Sequence, residues 1–266
     1  MDTWTYEGHA GELAARRWPV DQPRYVAVLC HGYGEHIGRY EWVAQTLNGH
    51  GASVYGVDHA GHGRSAGEGV LIRDFDDVVA DLHLLVQAAE EENPGLPVVL
   101  VGHSMGGMIA ARYVQLHGEE LTAVVLSGPV IGRWATVDSL LAMEEIPSTP
   151  IDPATLSRDP AVGAAYAEDP LVWHGDFKRP TLEALQEAMR RIAAGGSFGQ
   201  LPVLYLHGED DQLVPIGASQ AGISAVRGAR TEAKVYPGAR HEIFNETNKD
   251  EVLADVREFI DGVLGV

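Results

Sequence analysis

Gly102-His103-Ser104-Met105-Gly106-Gly107 follows directly on the apolar run Val98-Val99-Leu100-Val101. The join reads as a buried strand passing through a tight turn into a helix whose apolar face is Met108, Ile109, Tyr113 and Val114. Glycines at 102 and 106 flank Ser104 at G-x-S-x-G spacing. Small neighbours let such a strained turn pack and lift the serine hydroxyl above a sheet edge. A plain Gly-Ser turn produces the same short string, so the rest of the chain has to decide whether the serine is a nucleophile.

A nucleophile on such a turn needs an acid and then a histidine later in the chain, each just beyond a strand. Residues 203–207, Val-Leu-Tyr-Leu-His, read as a buried strand running into Gly208-Glu209-Asp210-Asp211. Asp211 is the preferred acid and Asp210 its competitor, which spacing alone does not separate. Residues 233–236 alternate as a short strand and lead through Pro237-Gly238-Ala239-Arg240 to His241, a loop histidine. A serine hydroxyl is a weak nucleophile at neutral pH, so an imidazole must take its proton, and a carboxylate must orient that ring. Ser104, Asp211 and His241 supply these types in that order. The oxyanion needs backbone donors. The amide of Met105 is one candidate, and the amide of Tyr33, in His31-Gly32-Tyr33-Gly34 after the strand-like run 26–30, is the other.

Three longer stretches now carry a resemblance: His31-Gly32-Tyr33-Gly34-Glu35-His36 through Arg39-Tyr40, Asp58-His59-Ala60-Gly61-His62-Gly63-Arg64-Ser65, and Gly102 to Gly107. With Ser157-Arg158-Asp159-Pro160, Tyr166, Asp169-Pro170-Leu171-Val172, Gly208 to Pro215 and His241, the chain resembles the monoacylglycerol lipase and lysophospholipase family of α/β-hydrolases over nearly its whole length. The resemblance implies Ser104, Asp211 and His241 as a catalytic triad, the acid being the fourth residue of G-x-x-D. It also implies that Glu35 and Arg39 shape the pocket for a glycerol head, against the plainer reading of a loop salt bridge. Two departures stand out. Phe244 occupies the place where vertebrate members carry a second histidine, three residues after the catalytic one, and the stretch 128–157 is shorter than in relatives of that family.

The 266 residues, 45% of them hydrophobic, suit one α/β catalytic domain with an insertion. Strands are predicted at 4–9, 13–18, 25–30, 53–57, 98–101, 123–127, 203–207 and 233–236. The first two form an antiparallel hairpin turning at Gly11, and the later ones are parallel, joined by helical crossovers. Phe75, Val78, Val79, Leu82, Leu85, Val86 and Ala89 form a helical stripe behind an Asp74 cap, ending before Asn93-Pro94-Gly95, and Val252, Val256, Phe259, Ile260 and Val263 repeat the rhythm. Seven of the fourteen prolines lie between 129 and 180, where the strand rhythm stops. The expected division is therefore a core of 1–129 and 200–266 with a cap at 130–199. In the cap, Trp134, Leu140, Leu141, Met143 and Ile146 either line an acyl tunnel or meet lipid, or simply pack cap on core.

A formal net charge of −19 excludes nucleic acid as a natural partner and disfavours steady residence on anionic membranes, while a neutral lipid ester meets no such repulsion. At most a transient lipid-surface contact through the cap is expected. The single cysteine, Cys30, ends a predicted strand and reads as core, and it rules out an intrachain disulfide. No apolar leader or spanning run is visible, so the expectation is a soluble cytoplasmic protein. His59 and His62 sit in a glycine-rich loop without convincing ligand spacing, and neither a metal nor a cofactor is expected. The residues thus predict a serine ester hydrolase, and the resemblance implies monoacylglycerols as its substrates. The alternatives are a general carboxylesterase or lysophospholipase, and, from another class, a noncatalytic ligand-binding member of the fold.

Overall fold

The computed structural model describes residues 1–148 and 150–266. Eight strands form one sheet: β1 (Asp2–Gly8), β2 (Gly11–Trp18), β3 (Tyr25–Cys30), β4 (Ala52–Val57), β5 (Val98–His103), β6 (Ala123–Ser127), β7 (Val203–Gly208) and β8 (Thr231–Tyr236), in the order β1-β2-β4-β3-β5-β6-β7-β8. Every pairing from β4 to β8 is parallel, and β1 and β2 add an antiparallel edge. The hairpin closes on Gly8 opposite Gly11, with Gly11 at φ +114°. The turn residues are thus His9 and Ala10, one step before the glycine at which the sequence places the turn.

Among the described residues the α-helices are α1 (Glu41–Gly49), α2 (Phe75–Glu92), α3 (Met105–His117), α4 (Ala135–Leu141), α5 (Pro160–Glu168), α6 (Arg179–Ala194), α7 (Ile216–Val226) and α8 (Lys249–Leu264). All six residues of β3, β4, β5 and β7 are buried, as expected of parallel strands covered on both faces. Alternate residues serve opposite cores. Ala27, Leu29, Val99, Val101, Leu204 and Leu206 pack with the apolar stripes of α1 and α8. Val26, Val28, Leu100, Val124, Val203 and Tyr205 pack with α2, α3, α6 and α7. The Asp74 side chain caps α2 by accepting from the amide of Asp76 at 2.9 Å, as its position before the stripe predicts.

Between β6 and β7 there is no strand among the described residues; this stretch carries α4, α5 and α6. Arg191 of α6 binds Asp74 at 2.7 Å and Asp76 at 2.9 Å, anchoring the helix at the start of α2. Of the five apolar residues singled out here, Leu140 is buried in the core, while Trp134, Leu141 and Ile146 lie half-buried against it. Met143 is exposed. Packing of this segment on the core therefore accounts for most of them, and of the five only Trp134 also lines the cleft that holds Ser104.

The parallel register sets the C-terminal ends of β3, β5, β6, β7 and β8 along one sheet edge, with Cys30 opposite Gly102 and His103 opposite Ser127. Open α/β sheets bind ligands at this edge. Helix α3 reaches it because Gly106 lies against β3: a Cβ there would stand 2.1 Å from the Cys30 carbonyl oxygen. Gly106→Ala is expected to cost at least about 2 kcal/mol through this overlap. Gly262→Ala, on α8 with nothing within 4 Å of its Cβ position, is expected to gain about 0.5–1 kcal/mol from helix propensity. Urea unfolding of the two variants checks both signs.

Candidate active site

Ser104 sits between β5 and α3 at φ +56°, ψ −118°, a left-handed conformation rare for a residue with a side chain. Its backbone is held on three sides. The amide donates to the Ser127 carbonyl at 2.8 Å, and the carbonyl accepts from the amides of Met108 and Val130, each at 3.1 Å. A Cβ on Gly102 would meet the Gly106 carbonyl oxygen at 2.3 Å, so both flanking glycines are demanded by close backbone approach.

The hydroxyl of Ser104 lies 2.8 Å from Nε2 of His241, and Nδ1 of His241 lies 2.7 Å from Oδ2 of Asp211. Asp211 follows β7, and His241 follows β8. The other carboxylate oxygen of Asp211 accepts from the amides of Leu213 and Val214 at 2.9 Å each, and Nε2 of His207 stands 3.2 Å from Oδ2. Asp210 is exposed, and the carboxylate bonded to His241 is that of Asp211. Burial alone would raise the Asp211 pKa, but the charge of His241 and hydrogen bonds from His207 and His241 hold it well below the usual carboxylate range. Burial would likewise lower the His241 pKa, and the Asp211 charge and hydrogen bond outweigh it and hold the imidazole above its ordinary value. His103, with its ring centroid 4.8 Å from that of His241, goes the other way. Burial and the neighbouring His241 push it down to about 3.

Tyr33 and Met105 both line the cleft that holds Ser104. Met105 is the first residue of α3, where an N–H has no carbonyl in its own helix to bind. The loop carrying Tyr33 is folded by the polar residues of the neighbouring motif. Asp58 accepts from the amides of Ile37 and Arg64 at 2.8 and 2.9 Å, His31 Nε2 accepts from the His59 amide at 3.0 Å, and His36 pairs with Asp169 at 2.9 Å. His59 and His62 are buried with pKa values lowered by that burial. Cys30 is also buried, which pushes its thiol up.

The cleft over Ser104 has a volume of about 620 Å³ including its mouth. Trp134, Phe177, Leu185 and Leu213 give it apolar walls, and Glu35, Arg39 and Glu242 give it a polar one. Arg39 Nη1 reaches Glu35 at 2.6 Å and Glu242 at 2.8 Å, while Nη2 reaches the second Glu242 oxygen at 2.9 Å. Its guanidinium lies 5.1 Å from the centre of the Tyr166 ring. Glu35 Oε1 accepts from the Gly32 amide and the Tyr40 hydroxyl, each at 2.6 Å. Glu35 and Arg39 thus both reach the cleft, and their salt bridge is buried. Sequence reasoning missed Glu242, whose one signal is its place directly after His241. It also missed Glu246, fully buried, which accepts from the amides of Arg158 at 3.0 Å and Arg240 at 2.8 Å and from Arg158 Nε at 2.9 Å. This carboxylate ties the His241 loop to Ser157-Arg158-Asp159-Pro160. Phe244 is buried beside His103, with ring centroids 6.4 Å apart.

Sheet order, strained serine turn and strand-end loops together define an α/β-hydrolase. The chain matches the family model Hydrolase_4, described as serine aminopeptidase, S33, over residues 21–248. It is 39% identical to a monoacylglycerol lipase of Mycolicibacterium smegmatis across 91% of this chain and 90% of that protein. It is 32% identical to the Homo sapiens monoglyceride lipase across 88% and 81% respectively. A thermostable carboxyl esterase from Bacillus coagulans, solved in complex with glycerol, superposes with a TM-score of 0.82 at 27% identity, covering 99% of this chain and 98% of that one. The protein belongs to the Hydrolase_4 family of α/β-hydrolases.

Two measurements test the electrostatics. If His241 acts as a base it must be neutral, so kcat/KM for an ester should fall as pH drops through its raised pKa, with a midpoint above the ordinary imidazole value of about 6.5. Asp211→Asn removes the charge that raises it, so the midpoint should move to lower pH, with kcat down by about 10⁴. Arg39→Met strands two buried carboxylates and should cost about 3–5 kcal/mol in urea unfolding. In that variant the midpoint should move to higher pH, because Glu35 and Glu242 both favour the protonated His241.

Proposed function

We propose that this protein is a serine hydrolase that cleaves monoacylglycerols to fatty acid and glycerol through an acyl-enzyme. The observation that carries this reading is the continuous contact from Asp211 through His241 to Ser104 at the floor of a largely apolar cleft. Ser104 attacks the ester carbonyl as His241 takes its proton, the amides of Tyr33 and Met105 receive the oxyanion, and His241 then protonates the leaving glycerol oxygen. Water activated by the same histidine releases the fatty acid. Residues 130–199 act as a cap over a core of 1–129 and 200–266, contributing Trp134 and Phe177 to the acyl side. The names of the M. smegmatis and human relatives support the substrate class.

The polar wall supports this reading over a lysophospholipase whose head group is a net anion. Arg39 is shared by two carboxylates, Glu35 and Glu242, so the wall carries one excess formal negative charge where a phosphate-bearing alcohol would sit. A glycerol head is neutral and brings only hydroxyl groups to these acceptors. The lone, buried cysteine supports a reducing, cytoplasmic setting. No helix among the described residues is long and apolar enough to cross a membrane.

The test is steady-state hydrolysis of monoacylglycerols across chain lengths, beside di- and triacylglycerols, lysophosphatidylcholine, short p-nitrophenyl esters and an aminoacyl p-nitroanilide. The highest kcat/KM is expected for a monoacylglycerol. Ser104→Ala should lose turnover by on the order of 10⁶ while unfolding like the wild type. Preference for short esters would leave the triad and replace the substrate class. Turnover confined to the anilide would make the protein a peptidase, and none on any substrate would favour a noncatalytic ligand-binding protein.

A further inference from the structure

On the face of the sheet covered by α2 and α3, away from the cleft, three side chains with metal-ligating atoms converge. His83 lies on α2, His117 ends α3, and Glu120 lies in the short turn that follows. His83 Nδ1 stands 3.2 Å from Glu120 Oε2, and His117 Nδ1 stands 3.8 Å from Glu120 Oε1. The two imidazoles lie nearly parallel, 12° apart in plane with centroids at 4.0 Å. One ligand atom from each residue falls within 4.8 Å of the others.

We propose that His83, His117 and Glu120 form a binding site for a divalent transition-metal ion of the Zn²⁺ type. A tetrahedral ion with bonds of about 2.0–2.1 Å holds its ligand atoms about 3.3 Å apart. The two separations, which run to different Glu120 oxygens, lie near that value, and turning the two imidazoles out of their parallel stack brings both Nδ1 lone pairs onto one ion. Two imidazoles and one carboxylate select a borderline ion over Ca²⁺ or Mg²⁺, which take oxygen ligands. Tyr113 supplies the supporting contact such sites need: its hydroxyl donates to Glu120 Oε2 at 2.8 Å, and its 3.0 Å contact with His83 Nδ1 is the one the ion would replace.

The surroundings favour a cation. The site lies at the C-terminal end of α3, the negative end of the helix dipole. Glu90 and Glu119 are close enough to act on Tyr113 together with Glu120. Among the described residues none of these three glutamates is ion-paired to a lysine or arginine. The side chains of His83, His117 and Glu120 are 19%, 28% and 28% exposed, leaving a route for the ion and a place for water as fourth ligand. A bound ion would join the middle of α2 to the end of α3, the helix that begins beside Ser104, and would stabilise the folded chain by mass action.

The probe is ZnCl₂ added to tag-free, metal-stripped full-length protein, followed by calorimetric titration and thermal unfolding. One Zn²⁺ per chain with a rise in Tm is expected. His117→Ala and Glu120→Gln should each weaken Kd by more than about tenfold and abolish the rise. His50→Ala, which removes a histidine paired with Asp261 elsewhere on the surface, should leave both unchanged. Metal-free Tm and ester turnover check that the variants are folded, and His83→Gln replaces any that is not. Binding that persists unchanged in the folded ligand variants, or no binding by the wild type, overturns the proposal.

Discussion

The site depends on how closely α3 approaches β3. The 2.1 Å separation between a would-be Gly106 Cβ and the Cys30 carbonyl means that this helix is seated on bare backbone. Seating it there forces the chain to turn from β5 within a single residue, and Ser104 absorbs the turn at φ +56°. Such a conformation costs of the order of 1–3 kcal/mol. It persists because its amide and carbonyl are committed to Ser127, Met108 and Val130. The same approach sets the start of α3 against the loop after β3, so the proposed nucleophile and the proposed oxyanion donors depend on one packing constraint. His241 and Asp211 then need only to emerge from neighbouring strand ends.

Much of this was legible in the chain, because strands buried on both faces leave unmistakable apolar runs and the serine turn demands glycine at fixed offsets. The acid was harder. Asp210 and Asp211 differ by one position, and what separates them is that Asp211 folds its carboxylate back onto the amides of Leu213 and Val214, a local turn preference that spacing does not encode. Glu242 and Glu246 escaped notice for a different reason. Their partners Arg39 and Arg158 lie 203 and 88 residues away, and a glutamate bound to a distant arginine looks in sequence like any solvated acid. The apolar residues of the 130–199 stretch were ambiguous because cleft lining and cap packing call for the same residue types. The structure assigns Trp134 to both. The His83, His117 and Glu120 cluster was equally invisible, since it forms only when two helices pack side by side.

Two histidines in contact carry opposite protonation preferences at this site. His103 and His241 share burial, which alone would depress both. They diverge because a carboxylate bonds one ring and a hydroxyl, that of Ser127, bonds the other at 3.0 Å. Paired groups pushed apart in this way identify the one suited to proton transfer. In the proposed mechanism a protonated His103 would repel the imidazolium formed on His241, so keeping His103 neutral would preserve the stabilisation that Asp211 provides.

The polar wall belongs to the same balance. Glu35 and Glu242 both favour protonated His241, which helps the imidazolium once formed but also fills the base with a proton before attack. Arg39 lies between the two glutamates and opposes that field with its own positive charge. A lysine would not serve equally: the guanidinium spans both carboxylates with two nitrogens and rests over the Tyr166 ring, contacts that require a planar fork. The arginine therefore does more than offset buried charge. It opposes the action of two buried acids on His241, so in the proposed mechanism the residues proposed to shape the leaving-group pocket also tune the pH at which His241 accepts a proton.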